Sequence, residues 1–332
     1  MQRPHGRRGA SVSRFSAWLR QLSRNPWLRR AVRVTLVLVA LVFLVNNVVR
    51  NWRALSNYEW RFDPARLAAA IICLALARNF LAFASQQAFS GVGYSLHWRM
   101  ILRGFHLSAF SIYMPGGIYL GRAMVLAGDG VDAVSTTAAV SLEYNMLVLS
   151  GLLASVPYFL HGGPGMPSRW WIVGLVLVPL ATVLVTPALF NRLLRWLIAR
   201  LGRKDKGVNL TRRGLANMLL LCVCYWLLGG LGFYLLASSV YPVPSQLLPA
   251  AAAAFGLAGA ITYTLAFTPG SLGVQEGALA LVLTPLLPTP LPAVLALLAR
   301  LWMTAAFLIL LGLAPLLRRN PQQAKAPMRG RS

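Results

Sequence analysis

Long apolar segments alternate with short polar stretches along the chain. Seven segments approach or exceed the roughly 20 apolar residues that cross ~30 Å of hydrocarbon. They cover residues 31–49, 67–84, 134–156, 170–190, 216–238, 249–268 and 293–317. The longest hydrophilic stretch between them, residues 191–214, is a loop of 24 residues, which is too short for a soluble domain. The pattern therefore predicts helices that cross a membrane, with any activity located inside it.

Two Pro-Gly breaks interrupt this pattern. Proline lacks a backbone donor and glycine relaxes the backbone, so both breaks should end a helix. We predict that residues 98–126 and 249–283 each form a helical hairpin whose exit arm is too short to cross the membrane. The break residues are Pro115, Gly116 and Gly117 in the first hairpin, and Pro269, Gly270, Ser271 and Gly273 in the second.

Each break is followed by two charges in apolar sequence. Seven positions after the first proline comes Arg122, and Glu143 lies in the next apolar segment. Seven positions after the second proline comes Glu276, and Arg300 follows in the same way. The order of the signs is thus reversed between the two regions. This pattern predicts a duplicated site with complementary charges inside a membrane.

Composition and charge support a membrane protein. Hydrophobic residues make up 57% of the chain and charged residues 12%, with a mean hydropathy of +0.62, which excludes an ordinary soluble domain. The net charge of +25 is concentrated in clusters: nine arginines precede Val34, eight Lys or Arg lie between 192 and 213, and five follow Leu317. The positive-inside rule makes all three regions cytoplasmic, and their position argues against nucleic-acid binding.

These landmarks require an even number of crossings between each pair of basic regions. If neither hairpin crosses, six full spans remain, four before residues 191–214 and two after. The hairpins then enter from opposite sides, which is typical of an inverted repeat with broken helices. If the hairpin arms cross fully, the number of crossings is larger, but it remains even between each pair of basic regions. We therefore predict an all-α polytopic membrane protein of six to eight transmembrane helices with two broken or re-entrant hairpins.

The predicted domain organisation has three parts. Residues 1–30 form a basic cytoplasmic segment, either an interfacial helix or a disordered arm. Residues 31–317 form one transmembrane domain with halves at 31–190 and 215–317, joined by the basic loop 191–214. Residues 318–332 form a disordered basic cytoplasmic tail. No cleavage site follows the basic start, so the first span is expected to stay as an anchor.

Five intramembrane charges are the candidate site residues. A charge at the centre of a spanning helix costs roughly 2.5 to 3.5 kcal/mol on insertion scales, so such residues are functional candidates. With the exposed amides of the breaks, the arginines would attract an anionic headgroup. The alternative is a purely structural role, with Glu143 paired to Arg300 or Arg122 and Glu276 to another arginine. The five residues are Arg78, Arg122, Glu143, Glu276 and Arg300.

Other polar residues have simpler interpretations. Arg78 and Asn79 form a stripe with Gln86 and Gln87 that lines the same cavity or snorkels to the interface. His106 is predicted to be a packed or interfacial histidine and not a metal ligand, and Asp129 with Asp132 to form a turn and a helix cap. The cysteines, Cys73, Cys222 and Cys224, are read as packing residues. We predict neither a metal site nor a cofactor. The glycines Gly229, Gly230 and Gly232 pack either within one bundle or between two copies.

The second break carries a family resemblance. Residues 268–276 read Thr-Pro-Gly-Ser-Leu-Gly-Val-Gln-Glu, which resembles a Pro-Gly-Gly-Leu-Gly-Val-x-Glu signature, and Met114 to Arg122 resembles an earlier Pro-Gly segment. Both occur in the transmembrane, flippase-like region of the lysylphosphatidylglycerol synthase family, which also exists as stand-alone membrane proteins. In this chain Ser271 replaces a usual Gly, and Gln275 stands where Arg is common. The resemblance covers about residues 31–317.

The resemblance implies translocation or handling of a lipid and does not imply lysyl-lipid synthesis, because the soluble aminoacyl-transfer domain is not found in this sequence. We expect an amphipathic lipid, anionic or isoprenoid-type, in a bacterial-type inner membrane, with both termini cytoplasmic. The alternatives are an intramembrane lipid-modifying enzyme with Glu143 or Glu276 as general base, and a scaffold that recruits a separate soluble lipid-synthesis enzyme through residues 192–213. Expected partners are membrane lipids and not nucleic acid.

Overall fold

A computed structural model describes residues 62–109, 111, 117–161, 186–200, 208–264 and 273–317. The regular structure in this part of the chain is helical. The ten α-helices are α1 Pro64–Gly91, α2 Trp98–Ser108, α3 Gly117–Ala127, α4 Ala133–Ala154, α5 Val156–His161, α6 Pro187–Arg200, α7 Arg212–Val240, α8 Leu248–Thr264, α9 Val274–Leu283 and α10 Leu291–Leu313. Short 3-10 turns, Ser245–Leu247 and Ala314–Leu317, precede α8 and follow α10.

Five helical segments are long and apolar enough to cross a membrane. They are Pro64–Gly91, Ala133–Leu160, Arg212–Val240, Ser245–Thr264 and Leu291–Leu317. This confirms the predicted helices at 67–84, 134–156, 216–238 and 293–317. The predicted span at 31–49 and most of the one at 170–190 lie outside the described residues. The chain is therefore an all-helical multi-pass membrane protein.

The second hairpin differs from the simplest prediction in its entering arm. Ser245–Thr264 has 20 residues, which is long enough to cross alone, whereas six full spans require that it does not. The exit arms match the expectation, since α3 has 11 residues and α9 has 10. At about 1.5 Å per residue, each is roughly half a bilayer core in length. Pro115, Gly116, Pro269, Gly270 and Ser271 lie outside the described residues, so the re-entrant hairpins stay a prediction.

Polar side chains cap the N-termini of three of the longer helices. The Asp63 carboxylate accepts hydrogen bonds from the first amides of α1, where Pro64 occupies a position that needs no donor. Asp132 caps α4 and also accepts a 2.6 Å hydrogen bond from the Tyr94 hydroxyl, which confirms its predicted role as a cap. Burial and this hydrogen bond raise the pKa of Tyr94, so the phenol stays protonated and donates. Thr211 caps α7 through the amide of Gly214.

Residues 191–200, predicted as loop, belong to α6, which begins at Pro187 and ends at Arg200. The arginines Arg192 and Arg195 on this helix are exposed. The basic cluster therefore starts on a helix and not on an irregular loop. Residues 1–30 and 318–332, and the part of the loop at 201–207, lie outside the described residues.

Small residues allow the helices to approach closely. A Cβ at Gly151 on α4 would lie 3.0 Å from the backbone oxygen of Gly256 on α8. Gly230 on α7 lies against Ala252 on α8. Gly232 lies against the backbone of Ala70 on α1. Close approach at small residues is how helices associate in lipid. The glycines of α7 thus pack within this bundle, which is the first of the two predicted alternatives.

Large apolar side chains point away from this interior. They include Ile72 on α1, Leu227 on α7, Leu281 on α9 and Leu301 on α10, which are all more than half exposed. Helices that are apolar on their buried and outer faces alike are typical of a bundle surrounded by lipid tails. Polar residues buried between these apolar helices are therefore unusual, and they indicate where a functional site lies.

Candidate functional site

The first site is a buried ion pair between α3 and α4. The Arg122 Nη1 atom lies 2.8 Å from Glu143 Oε2, and both side chains are 2% exposed. Arg122 is placed by the short helix that follows the first break, and Glu143 by the long helix after it. A pair with this distance and burial is a strong charge-assisted hydrogen bond.

Arg122 makes two further hydrogen bonds. Its Nη1 donates to Ser85 Oγ on α1 at 2.8 Å, and its Nε donates to Ser108 Oγ on α2 at 3.1 Å. The guanidinium carbon lies 4.4 Å from the centre of the Phe105 ring. Four helices thus converge on one arginine, and such compensation is what a buried charge requires.

The second site joins α9 and α10. The Arg300 Nε atom lies 3.6 Å from Glu276 Oε1, with side-chain exposures of 15% and 6%. The other carboxylate oxygen, Glu276 Oε2, accepts a 2.9 Å hydrogen bond from the amide of Gly273, at the start of α9. Gly273 has φ of 82°, a left-handed conformation that glycine adopts at little cost. The carboxylate therefore holds the helix start and the arginine together.

The structure selects among the pairings that the sequence left open. Glu143 pairs with Arg122 and not with Arg300, and Glu276 pairs with Arg300. In each half, the charge after the break pairs with the charge on the next helix. The second pair is longer and more exposed than the first. Its glutamate precedes its arginine in the chain, whereas in the first pair the arginine comes first.

Arg78 occupies a separate place in the middle of α1. The residue is 6% exposed, and its guanidinium carbon lies 3.9 Å from the centre of the Phe307 ring on α10 and 5.3 Å from that of Phe105 on α2. An arginine held between two rings inside the bundle does not snorkel to an interface. The alternative of a snorkelling Arg78 is therefore wrong, and its neighbour Asn79 contacts His106, whose Nε2 lies 3.3 Å from Asn79 Oδ1. His106 is buried, as predicted.

Tyrosines connect the two halves, and the sequence analysis missed their role. The ring centroids of Tyr144 on α4 and Tyr263 on α8 lie 5.3 Å apart at an edge-to-face angle of 90°. Tyr144 directly follows Glu143, and Tyr263 lies on the last turn of α8 before the second break. Adjacency to Glu143 was the one signal in the sequence for Tyr144.

The remaining polar candidates have structural surroundings. Cys222 is buried, while Cys73 and Cys224 are half-buried, and none of the three forms a disulfide. In the described ranges, no group of three or more His, Cys, Asp or Glu side chains is arranged as a metal site.

Apolar helices of spanning length with paired charges between them define a multi-pass membrane protein with a polar interior. Residues 30–312 match the family model described as Lysylphosphatidylglycerol synthase TM region, and the chain belongs to this family. Membership implies that the protein handles membrane lipids. A comparison with curated proteins gave no match.

Proposed function

We propose that this protein translocates an amphipathic lipid across the membrane, with the headgroup passing between the two charge pairs. The observation that carries this proposal is the reversed order of the two buried pairs, Arg122 with Glu143 and Glu276 with Arg300. Each pair lies between a short helix that follows a Pro-Gly break and the long helix after it. Reversed halves of this kind suit a site that opens in turn to either side of the membrane.

The ion pairs act as latches on the short helices α3 and α9. Removing one partner from a buried pair costs about 3 to 5 kcal/mol, so neither short helix separates from its neighbour without compensation. An anionic headgroup offsets this cost by replacing the carboxylate at the arginine, while the released glutamate takes up a proton. The longer 3.6 Å pair at Arg300 is the one that opens more readily.

The proposed topology follows the basic clusters. Both termini and the basic segment 191–214 face the cytoplasm of a bacterial-type inner membrane, and the two breaks enter from opposite faces. The buried charges on α3, α4, α9 and α10 then lie toward one depth. Partners are membrane lipids and, by extension, an enzyme that makes the transported lipid.

Two other functions remain predictions. A lipid-modifying enzyme would use Glu143 or Glu276 as a general base, although each carboxylate is already paired with an arginine. A purified protein that produced a new lipid species would support that function. A scaffold would recruit its enzyme through the exposed arginines of α6, and co-purification that depends on them would support it.

Translocation is measured in proteoliposomes with fluorescent lipids and a membrane-impermeant quencher. We expect Glu276→Gln and Arg300→Ala each to reduce the translocation rate at least tenfold relative to the wild type. Arg66→Ala is the matched control, because Arg66 pairs with Asp63 on an exposed part of α1, at 52% and 41% exposure. Unchanged translocation in both Glu276→Gln and Arg300→Ala would show that the proposed mechanism is wrong.

A further inference from the structure

The buried charges in the described part of the chain do not balance. The site contains three arginines and two glutamates, which leaves a formal charge of +1 (3 − 2). Glu143 is occupied by Arg122, and Glu276 by Arg300. Arg78 has no ion pair with a carboxylate in the part of the chain that the structure describes. A buried charge that lacks an opposite charge is costly, and a ligand that supplies one is favoured.

Arg78 also lies at the junction of the two halves. It shares the Phe105 ring with Arg122, which carries the first ion pair. Its other neighbour is Phe307, which lies on α10 two helical turns after Arg300. Arg78 therefore contacts α10, the helix that carries Arg300. It also contacts Phe105, the side chain that packs on Arg122.

One hydrogen-bond donor of Arg78 is unused. Its Nε atom is buried and has no hydrogen-bond partner within the described ranges. The two aromatic rings provide cation–π attraction but accept no conventional hydrogen bond from this atom. A guanidinium offers five N–H donors in a planar fork, and the oxygens of a phosphate match that geometry.

A second unused atom lies in the same α1–α2 interface. Asn79 donates its amide to the carbonyl of Ala75 at 2.8 Å, so its oxygen is the acceptor that faces His106. The His106 Nε2 atom then donates, and Nδ1 of the neutral ring is an acceptor. This Nδ1 is buried and has no partner among the residues described. The interface thus offers a cationic donor from Arg78 and a neutral acceptor, which complements a phosphate group that carries a hydroxyl-bearing substituent.

We propose that Arg78 binds the phosphate of an anionic lipid headgroup and gives the protein its preference for anionic over zwitterionic lipids. This inference rests on the proposed function and names its substrate class. The phosphate neutralises the charge that Glu143 and Glu276 leave uncompensated. A zwitterionic headgroup supplies the same phosphate but also brings a cation, and both buried glutamates of the site are already paired with arginines.

Binding is measured on the full chain purified in detergent, as the shift of Tm during titration with short-chain lipids. The probes are dioctanoyl phosphatidylglycerol and dioctanoyl phosphatidylcholine. We expect the wild type to bind the anionic lipid at least tenfold more tightly than the zwitterionic one. Arg78→Gln abolishes this preference, Arg78→Lys keeps part of it, and the matched control Arg99→Gln, which removes an exposed charge from α2, keeps all of it.

Arg78→Met separates binding from folding. Because Arg78 forms no ion pair that the substitution would break, the lipid-free Tm of this variant should equal or exceed that of the wild type, while the shift with phosphatidylglycerol is lost. Inorganic phosphate, added at the same concentrations, should give no shift. A shift that depends on Arg78 and matches that of the lipid would assign the site to a free anion and overturn the lipid assignment.

The outcomes for this inference and for the proposed function are distinct. Equal binding of both lipids by the wild type, or an unchanged preference in Arg78→Gln and Arg78→Met, would overturn the inference while lipid translocation could still be observed. A protein that binds phosphatidylglycerol through Arg78 but moves no lipid in proteoliposomes would overturn the proposed function and leave the binding site established.

Discussion

Arg122 and Glu143 form a 2.8 Å ion pair from which nearly all solvent is excluded, and Glu276 with Arg300 repeats that pair with the signs exchanged. The first arginine donates hydrogen bonds to Ser85, Ser108 and the carboxylate. The second pair is longer and shares its carboxylate with a backbone amide. The two halves therefore use the same type of pair at different distances, 2.8 Å and 3.6 Å, and we expect the second pair to open more readily.

The first latch predicts a specific pattern of charge exchange. Arg122→Glu and Glu143→Arg should each lower the free energy of unfolding by about 3 to 5 kcal/mol, because each places two like charges in the interior. The double exchange restores opposite charges and should recover at least half of the lost Tm and translocation. Thermal unfolding in detergent and lipid transport provide the two measurements.

Exchanging charges between the two pairs tests the same pairing in a second way. Glu143→Arg combined with Arg300→Glu should be no better than the single changes, because these residues belong to different pairs. Recovery in this variant, and not in the Arg122 and Glu143 exchange, would contradict the observed pairing. The exposed pair of Asp63 and Arg66 is the reference, since surface pairs contribute about 0 to 1 kcal/mol.

The two oxygens of Glu276 predict a difference between two substitutions. Glu276→Gln keeps an oxygen that accepts from the Gly273 amide and loses the charge that faces Arg300. Glu276→Ala loses both interactions. We expect both variants to lose translocation, and Glu276→Ala to be less stable than Glu276→Gln by about 1 kcal/mol, the usual contribution of a helix cap. Equal unfolding free energies for the two variants would show that the cap contributes nothing.

The sequence predicted the charges of the site better than their partners. The spacing after each break identified Arg122 and Glu276, because a charge in apolar sequence stands out whatever the fold. Pairing depends on how helices are arranged, so Glu143 was left with two possible arginines. The edge-to-face contact of Tyr144 with Tyr263 arises from tertiary packing and left no mark in the sequence beyond adjacency to Glu143.

Helix boundaries show the same limit. Four predicted spans are confirmed, since runs of apolar residues determine them directly. The arm before the second break was predicted as a segment of near-spanning length that either enters a hairpin or crosses fully, and Ser245–Thr264 is long enough to cross alone. Arg78 was equally open between snorkelling and burial, because a central arginine has the same sequence signature in both cases. The rings of Phe105 and Phe307, distant in sequence, decided for burial.

Gly273 predicts a local backbone effect at the start of α9. Its φ of 82° is accessible to glycine, whereas an L-residue in the left-handed region pays roughly 1 to 2 kcal/mol. Gly273→Ala should therefore lower the Tm and weaken the pair of Glu276 with Arg300. Gly277→Ala on the same helix is the control, because a Cβ there meets nothing within 4 Å, and alanine favours a helix by about 1 kcal/mol over glycine. A Gly273→Ala variant as stable as Gly277→Ala would contradict this prediction.

The contact of Gly151 with Gly256 predicts that stability depends on backbone approach between α4 and α8. A Cβ at Gly151 would lie 3.0 Å from the Gly256 oxygen, so a larger side chain must push the two helices apart. Overpacking of this kind costs about 1 to 3 kcal/mol, and Gly151→Leu should show it as a lower Tm. The displacement would also move Glu143, two turns earlier on α4, away from Arg122, so translocation should fall with stability. Gly312→Leu on α10, where a Cβ meets nothing within 4 Å, should lower neither measurement. A normal Tm and rate for Gly151→Leu would mean that the close contact of α4 with α8 is not needed.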